Sequence, residues 1–332
     1  MLFKPSFIAA ALSLAAFGAQ AEGMLALTNK NQLVQFDSTN TAAGTVIDIT
    51  GLNLAVGERL LGLEQRPVTG DFYTLSSAGR LFTLNATTGA ATFAGSLRAD
   101  ATLGASGTAF SGLSGQAFGF DFNPVPDLGQ TLPSLRLVSN TGQNLRINVN
   151  GSNAGLVRVD TPINVVAANP NGTSPSVVAS AYTNNDRDAS TGTSLYAIDA
   201  RGDALYQQVN ANGGQLSYVA DLKMLDMATG LGALVGVNTT SVSSFDVSAS
   251  GIAYASLTDE FTGDNWLFSV NLSGQQPTLT YLGLFGQAGA SLGSAVIGLT
   301  ATTAAPVPEP TGMALSLAAL GLIGLGLRRR MA

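Results

Sequence analysis

The feature that most constrains the fold of this chain is a pattern of four short strands that recurs along it. In the first copy, apolar runs alternate with turns rich in glycine, serine and threonine. Tight turns of this kind join neighbouring strands into an antiparallel meander. We predict the four strands of this copy at residues 60–64, 71–75, 80–85 and 91–96.

Three further copies follow at a spacing of roughly 40 to 70 residues, a period typical of β-propeller blades. We predict that they open at residues 118–124, 163–168 and 242–246. The third strand is the easiest to follow, because it reads Leu-x-x-apolar-Asp/Asn at residues 81–85 and again at 267–271. Alternation along such a strand places one apolar face in the core.

The two ends of the repeat region are incomplete in a complementary way. Residues 24–49 supply three strands, and residues 295–300 supply one opening strand. Joining them completes a further blade and removes exposed sheet edges. We therefore predict an all-β fold, a β-propeller of about five four-stranded blades closed by strands from both termini. The glycine-rich segment 222–241 leaves room for a sixth blade or for an inserted loop.

The body of the chain also resembles a described family. The run Gly62-Leu63-Glu64-x-x-Pro-x-x-Gly-x-Phe-Tyr and the passages 79–82, 88–89, 181–185 and 195–199 are similar to the DUF4394 family. The resemblance covers most of residues 24–300, with Glu64 standing where we expect an aspartate. It supports the propeller fold and implies no activity.

The N-terminus has the three zones of a secretory signal peptide, which we assign to residues 1–21. Lys4 provides the basic zone, and an apolar stretch too short to span a bilayer follows it. Ala19 and Ala21 form a small-x-small cleavage site, so we expect the exported domain to span residues 22–303. The alternative is a buried N-terminal helix.

The C-terminus, residues 304–332, has three zones of its own. Val307, Pro308, Glu309 and Pro310 form a stiff, extended motif, because proline restricts both itself and the residue before it. The uncharged segment 312–327 follows and would cover about 24 Å as a helix, less than a hydrocarbon core of about 30 Å. The last zone is the basic cluster Arg328, Arg329 and Arg330, which favours the cytoplasmic side.

These three zones resemble the PEP-CTERM sorting signal. The resemblance implies that Pro308, Glu309 and Pro310 are recognised by an exosortase, a transpeptidase-like membrane enzyme of bacteria that make exopolysaccharide or biofilm matrix. The expected partners are then the export machinery, the exosortase and, transiently, the inner membrane. The expected location is the cell surface or the exterior of a Gram-negative-type bacterium. The alternative is a plain single-pass anchor after a proline-rich stalk.

Composition excludes several classes of function. Without both terminal segments, the basic residues fall from 15 to 11 and the acidic residues from 21 to 20, so the net charge is near −9. No basic cluster remains in the sequence, and we therefore expect no nucleic-acid partner. The chain has no cysteine and no histidine. This absence excludes a Ser-His-Asp triad, a cysteine nucleophile and a metal site built on histidine or cysteine.

The candidate site consists of carboxylates. Alignment of the blade openings places Glu64, Asp121 and Asp246 at equivalent positions, with Ala167 and Thr300 in the same slot of the other two blades. Opening strands line the channel of a propeller, so the three carboxylates can ring one end and bind a hard cation such as Ca²⁺ through oxygen. The alternative is that each one caps the turn after its own strand.

These observations predict a binding or scaffold module of the exopolysaccharide or biofilm matrix, whose partner is a polysaccharide or a surface protein. We expect no enzymatic activity and no obligatory cofactor. The alternative is a carboxylate-dependent, Ca²⁺-assisted polysaccharide hydrolase or lyase. That alternative predicts a deep channel in which at least one of the three carboxyls is desolvated and has a raised pKa.

Overall fold

The computed structural model describes residues 21–302, except 168–169, 171–174, 229–231 and 288–289. Ala19, the sorting motif, the segment 312–327 and the terminal arginines lie outside the described residues. No helix within the described ranges combines the length and the apolar character needed to cross a membrane.

The described residues form short strands separated by turns. The strands of the N-terminal half are β1 Gly23–Thr28, β2 Gln32–Asp37, β3 Asn40–Asp48, β4 Leu60–Gln65, β5 Phe72–Ser76, β6 Arg80–Leu84, β7 Ala91–Ser96, β8 Arg98–Ala99, β9 Phe118–Phe122, β10 Leu135–Ser139, β11 Asn144–Ile147, β12 Leu156–Val159 and β13 Asn164–Ala167. The strands of the C-terminal half are β14 Val177–Tyr182, β15 Leu195–Asp199, β16 Ala204–Asn210, β17 Gln215–Asp221, β18 Lys223–Leu225, β19 Leu234–Gly236, β20 Thr239–Val247, β21 Ala253–Asp259, β22 Asn265–Val270, β23 Leu279–Leu284, β24 Gly286–Gln287, β25 Ala290–Ser291 and β26 Val296–Ala301. One short helix, α1, spans Pro124–Asp127, and two 3₁₀ turns span Gly151–Asn153 and Ala189–Thr191.

The strands assemble into five blades. Blade 1 is β4-β5-β6-β7, blade 2 is β9-β10-β11-β12 with β8 outside, and blade 3 is β14-β15-β16-β17 with β13 outside. Blade 4 is β20-β21-β22-β23, and blade 5 is β26-β1-β2-β3. The inner strands contact one another in a closed ring, in the order β4, β9, β14, β20, β26 and back to β4. The predicted five-bladed propeller, closed by strands from both ends of the domain, is confirmed.

The hydrophobic core is divided into five clusters, one between each pair of neighbouring blades. The cluster between blades 5 and 1, for example, joins Leu25 and Leu33 to Phe82. Full burial of a leucine or phenylalanine side chain contributes roughly 1.5–3 kcal/mol, so each cluster stabilises its blade interface substantially. The blades are therefore held in place by packing of one sheet on the next.

The predicted opening strand of the third copy, residues 163–168, is wrong. Its described part contains β13, which lies at the outer edge of blade 3 and pairs in parallel with β17. Every residue of β13 is exposed, whereas every residue of β14 is buried. An inner strand of a propeller is covered by blades on both faces, so β14 is the inner strand.

In its described part, the segment 222–241 does not form a sixth blade, and it is an insertion between β17 of blade 3 and the body of β20 in blade 4. It contains the hairpin β18-β19, in which Met224 pairs with Val235, and the start of β20. The hairpin lies beside the outer strand β23 of blade 4. The blade count of five is unaffected by it.

Candidate metal centre

The three predicted carboxylates occupy one position in three inner strands. Glu64 lies in β4, Asp121 in β9 and Asp246 in β20. The same position holds Thr300 in β26 and Ala181 in β14 of blade 3, which is the correction to the slot predicted for Ala167. Five equivalent positions in a closed ring of strands face the same axis, which is why residues distant in sequence meet there.

A layer of small residues lies two positions before the carboxylate layer. The layer consists of Gly62, Gly119, Ala179, Ser244 and Gly298. A Cβ added to Gly298 would stand 2.6 Å from the backbone nitrogen of Leu63, and one added to Gly119 would stand 2.6 Å from that of Ser180. The small residues thus allow neighbouring inner strands to approach closely.

The structure brings the three carboxylates together. One carboxylate oxygen from each of Glu64, Asp121 and Asp246 lies within 4.8 Å of the other two. All three side chains are at most 1% exposed. The predicted convergence on the axis therefore places the cluster inside the protein, beyond the reach of bulk solvent.

Hydrogen bonds from neighbouring blades hold the carboxylates in place. Glu64 Oε1 accepts from Thr300 Oγ1 at 2.7 Å, and Asp246 Oδ2 accepts from the Ala301 backbone N–H at 2.6 Å. Asp121 Oδ2 accepts from the backbone N–H of Tyr182 in blade 3. Glu64 Oε1 also accepts from the backbone N–H of Gln65, the next residue of its own strand, at 2.7 Å, so donors from the same strand and from adjacent blades both contact the cluster.

Two oxygens of the cluster have no hydrogen-bond donor. Glu64 Oε2 and Asp246 Oδ1 are buried and accept no hydrogen bond from any described residue. The hydroxyl oxygens of Ser180 and Ser244, on the inner strands β14 and β20, are buried and unpartnered in the same way. A buried polar atom without a partner costs about 1–3 kcal/mol. This arrangement therefore favours a ligand or a proton at the axis.

Burial raises the pKa of every carboxyl in the cluster, and repulsion by its neighbours raises the pKa of Glu64 and of Asp121 further. Desolvation raises the pKa of Glu64 well above its ordinary value, and the charges of Asp246 and Asp121 raise it further. Desolvation, followed by the charge of Asp246, also raises the pKa of Asp121 well above its ordinary value. Desolvation raises the pKa of Asp246 to about 6, although the Ala301 N–H opposes this shift.

The cluster has no cationic side chain to balance it. None of the ion pairs within the described residues involves Glu64, Asp121 or Asp246. Three carboxylates so close together cannot all ionise in a low dielectric unless a positive charge joins them. Carboxylate and hydroxyl oxygens are the ligands that hard cations such as Ca²⁺ prefer. The residues present therefore fit a cation bound on the axis.

The central channel is closed on the side of the carboxylates where the inner strands begin. The cavity bounded by the small-residue layer measures about 10 Å³, room for at most a single water molecule. At the other end of the carboxylates, Arg66 and Asp127 form a buried ion pair of 2.7 Å that joins the loops after β4 and β9. Arg187 Nε donates to the Pro67 carbonyl at 3.2 Å, which adds the loop after β14.

The sequence identified the three carboxylates and Thr300, and it missed the buried serines Ser180 and Ser244 and the blade 3 position of Ala181. In blades 1, 2, 4 and 5 the inner strand reads small residue, apolar residue, polar residue, at the positions 62–64, 119–121, 244–246 and 298–300. Blade 3 has Ala179-Ser180-Ala181 at the equivalent positions and departs from this pattern, which is why the sequence did not show its inner strand.

Comparison with solved structures finds matches of low similarity. An auxiliary nutrient binding protein from Bacteroides thetaiotaomicron is 12% identical with a TM-score of 0.36, over 79% of this chain and 58% of that one. The glutaminyl cyclase of Myxococcus xanthus is 13% identical with a TM-score of 0.37, over 78% of this chain and 94% of that one. This chain thus spans less than two thirds of the nutrient binding protein. Both TM-scores are below 0.5, so neither protein transfers an activity or a ligand to this chain.

Sequence comparison gives a family and no function. No curated protein matches the chain. The model of the domain of unknown function DUF4394 matches residues 32–291, which is more than half of the 332-residue sequence and includes the three carboxylates. The chain therefore belongs to the DUF4394 family.

Proposed function

We propose that this chain is a binding and scaffold module of the cell surface or extracellular matrix, and that it is not an enzyme. The observation that carries the proposal is the burial of the axial carboxylates inside a closed ring of five inner strands. A rigid, closed propeller presents loops on two faces, and such loops are the usual place for binding residues.

The same observation disfavours the hydrolase or lyase alternative. Glycosidic hydrolysis needs two carboxyl groups that flank a bond of the substrate, with room for a water molecule or a sugar between them. The carboxyls here have the raised pKa values that catalysis uses, but they lie at most 1% exposed beside a cavity of about 10 Å³. A polysaccharide chain has no path to them across the described residues.

We assign the carboxylate cluster a structural role as a site for a hard cation, with Ca²⁺ as the candidate. Glu64 Oε2 and Asp246 Oδ1, which lack hydrogen-bond donors, supply two oxygens for it. A divalent ion would compensate the negative charge that burial otherwise penalises. It would also join blades 1, 2 and 4 at the axis.

The terminal segments support the location. The signal peptide ending at Ala21 directs export, and the motif Pro308-Glu309-Pro310 with its apolar segment and arginine cluster directs exosortase sorting. The export machinery, the exosortase and transiently the inner membrane are the partners this sorting requires. An exopolysaccharide or a surface protein is the partner after release.

A thermal melt tests the cation site. We expect millimolar Ca²⁺ to raise the midpoint of residues 22–302 relative to EDTA, because an ion at a hundredfold excess over its dissociation constant adds about 2.7 kcal/mol of stability. Asp121→Asn and Asp246→Asn should abolish the rise, and the exposed control Asp71→Asn should keep it. An unchanged wild-type midpoint in Ca²⁺, Mg²⁺ and EDTA would overturn the assignment.

Cell fractionation of the host tests the location. We expect the wild-type protein at the cell surface, in a form shortened at both ends. Replacement of Pro308, Glu309 and Pro310 by alanine should hold the chain in the inner membrane with its tail intact, while the control Pro306→Ala should behave as wild type. Recovery of the full-length wild-type chain in the cytoplasm would refute the sorting proposal.

A further inference from the structure

A row of three arginines crosses blade 2. Arg136 of β10, Arg146 of β11 and Arg158 of β12 stand directly opposite one another in the strand register. Arg136 is also opposite Asp121 of β9. Directly opposed residues of antiparallel strands project from the same face, so the row runs outward from the axial site along the face toward blade 3.

The inner end of the row is fixed by buried partners. Arg136 is 2% exposed, and its guanidinium donates to Asp160 at 2.9 Å, to Asn212 at 2.7 Å and to the Tyr182 hydroxyl at 3.1 Å. Asn212 and Tyr182 belong to blade 3, so these contacts lock the interface between the two blades. Arg136 is therefore held rigidly in the wall by both blades.

The outer two arginines keep donors free. Arg146 uses Nε and Nη2 on the two oxygens of Asp160, both at 2.7 Å, and Arg158 uses Nε on Asp100 at 2.8 Å. Nη1 of Arg146 and both Nη atoms of Arg158 donate to no described residue. Their side chains are 23% and 21% exposed. The charged ends thus lie at a solvent-accessible surface in a fixed orientation.

These free donors line a cavity on the protein surface. It measures about 570 Å³ and lies between blades 2 and 3, with all three arginines in its wall. Asn123 and Asn210 contribute amides, and Pro126 and Val209 contribute apolar surface. The wall contains no carboxylate side chain. Three guanidinium groups opposed by the carboxylates of Asp100 and Asp160 leave one positive charge uncompensated.

We propose that this cavity binds the carboxylate-bearing sugar unit of an acidic polysaccharide. The planar fork of Arg158, with Nη1 of Arg146, matches the two oxygens of a carboxylate. The amides match sugar hydroxyls, and the apolar residues match the C–H face of the ring. A volume of about 570 Å³ is within the range of small-ligand sites and accommodates a saccharide unit with its neighbours exposed.

This inference rests on the proposed role as a matrix-binding module, and it names the ligand class and the place. The net charge near −9 of the domain repels a polyanion at long range, so recognition must come from this local positive site. We therefore expect weak, salt-sensitive binding to each uronate unit, multiplied along a polymer that carries many such units.

Isothermal titration calorimetry with a uronate oligosaccharide tests the inference, with a neutral oligosaccharide of equal length as the reference. We expect wild-type protein to prefer the uronate, and Arg158→Gln and Arg146→Gln each to weaken it roughly ten- to a hundredfold. Arg158→Lys keeps the charge and loses the fork, so its affinity should fall between wild type and Arg158→Gln. Arg59→Gln removes the same charge at the opposite end of the axis and should bind as wild type.

Four results would overturn the proposal. They are equal affinity for neutral and acidic oligosaccharides, preference for a sulfated oligosaccharide without carboxylates, an unchanged affinity of Arg158→Gln in a protein whose melt shows it folded, and no binding to any saccharide. The cell fractionation is independent of this pocket. If wild type and Arg158→Gln both reach the cell surface but wild type does not bind the uronate, the pocket assignment is wrong. The proposed scaffold role is not affected by that result.

Discussion

At the scale of single residues, the chain buries three carboxyl groups on the propeller axis, where burial penalises their negative charge. Glu64, Asp121 and Asp246 lie in the interior, share no basic partner among the described residues and rely on backbone and hydroxyl donors from adjacent blades. The protonation state of these groups is therefore linked to folding.

We predict that, in EDTA, stability contributed by Asp246 is present at pH 4 and is lost as the pH rises through about 6. Burial raises the pKa of Asp246 from 3.8 in the unfolded chain to about 6 in the folded one. Between these values the folded state binds more protons, so a rise in pH favours unfolding. The loss is on the order of 3 kcal/mol at pH 7.

Urea unfolding of wild type and Asp246→Asn between pH 4.5 and 7.5 measures this linkage. The asparagine does not titrate, so wild type should lose stability relative to it as the pH rises, and Ca²⁺ should reverse that loss. Asp71→Asn, an exposed change, should follow the wild-type curve. Parallel curves for wild type and Asp246→Asn would contradict the prediction.

At the scale of elements, the inner strands of blades 1, 2, 4 and 5 are specified by a triplet of small, apolar and polar residues. The small residue permits close approach of the next strand, the apolar residue enters an interblade cluster and the polar residue faces the axis. Gly62-Leu63-Glu64 and Gly298-Leu299-Thr300 lie on adjacent strands and show the arrangement directly, since Thr300 Oγ1 donates to Glu64.

Gly298→Ala should therefore destabilise the propeller by about 1–3 kcal/mol, a typical cost of overpacking. Its new Cβ would stand 2.6 Å from the backbone nitrogen and 2.8 Å from the Cβ of Leu63, and neither atom can move without shifting β4. Gly236→Ala in β19 meets nothing within 4 Å and serves as the matched control. Equal urea midpoints for the two variants would show that the strands relax apart at no cost.

At the scale of the whole molecule, blade 5 closes the ring of blades, because it combines strands from both ends of the domain. Residues Met24 and Ala301, at opposite ends of the domain, pair in one sheet, and Asp246 of blade 4 reaches the Ala301 N–H across that joint. Both candidate sites lie where blades meet. The carboxylates lie at the common axis, and the arginine-walled cavity lies between blades 2 and 3. The binding surface is therefore rigid only when the ring is closed.

The sequence alone determined the fold class, the number of blades and the carboxylate positions in three of them. The alternation of apolar and polar residues and the choice of turn residues are local properties. Residues 60–96 therefore predict a four-stranded blade independently of the rest of the chain. The same locality explains the error at residues 163–168. That run has the apolar character of a strand, and only the packing of neighbouring blades decides whether a strand is inner or outer.

The tertiary structure decided what the polar residues do. Arg136, Arg146 and Arg158 each lie between two apolar residues in successive strands, and this pattern is visible in the sequence. Only the strand register shows that the three side chains form a row. The burial, the shifted pKa values and the orphan oxygens of Glu64 and Asp246 likewise depend on strands more than a hundred residues apart. Electrostatic and hydrogen-bond energies depend on distance in space, and the closed ring alone sets those distances.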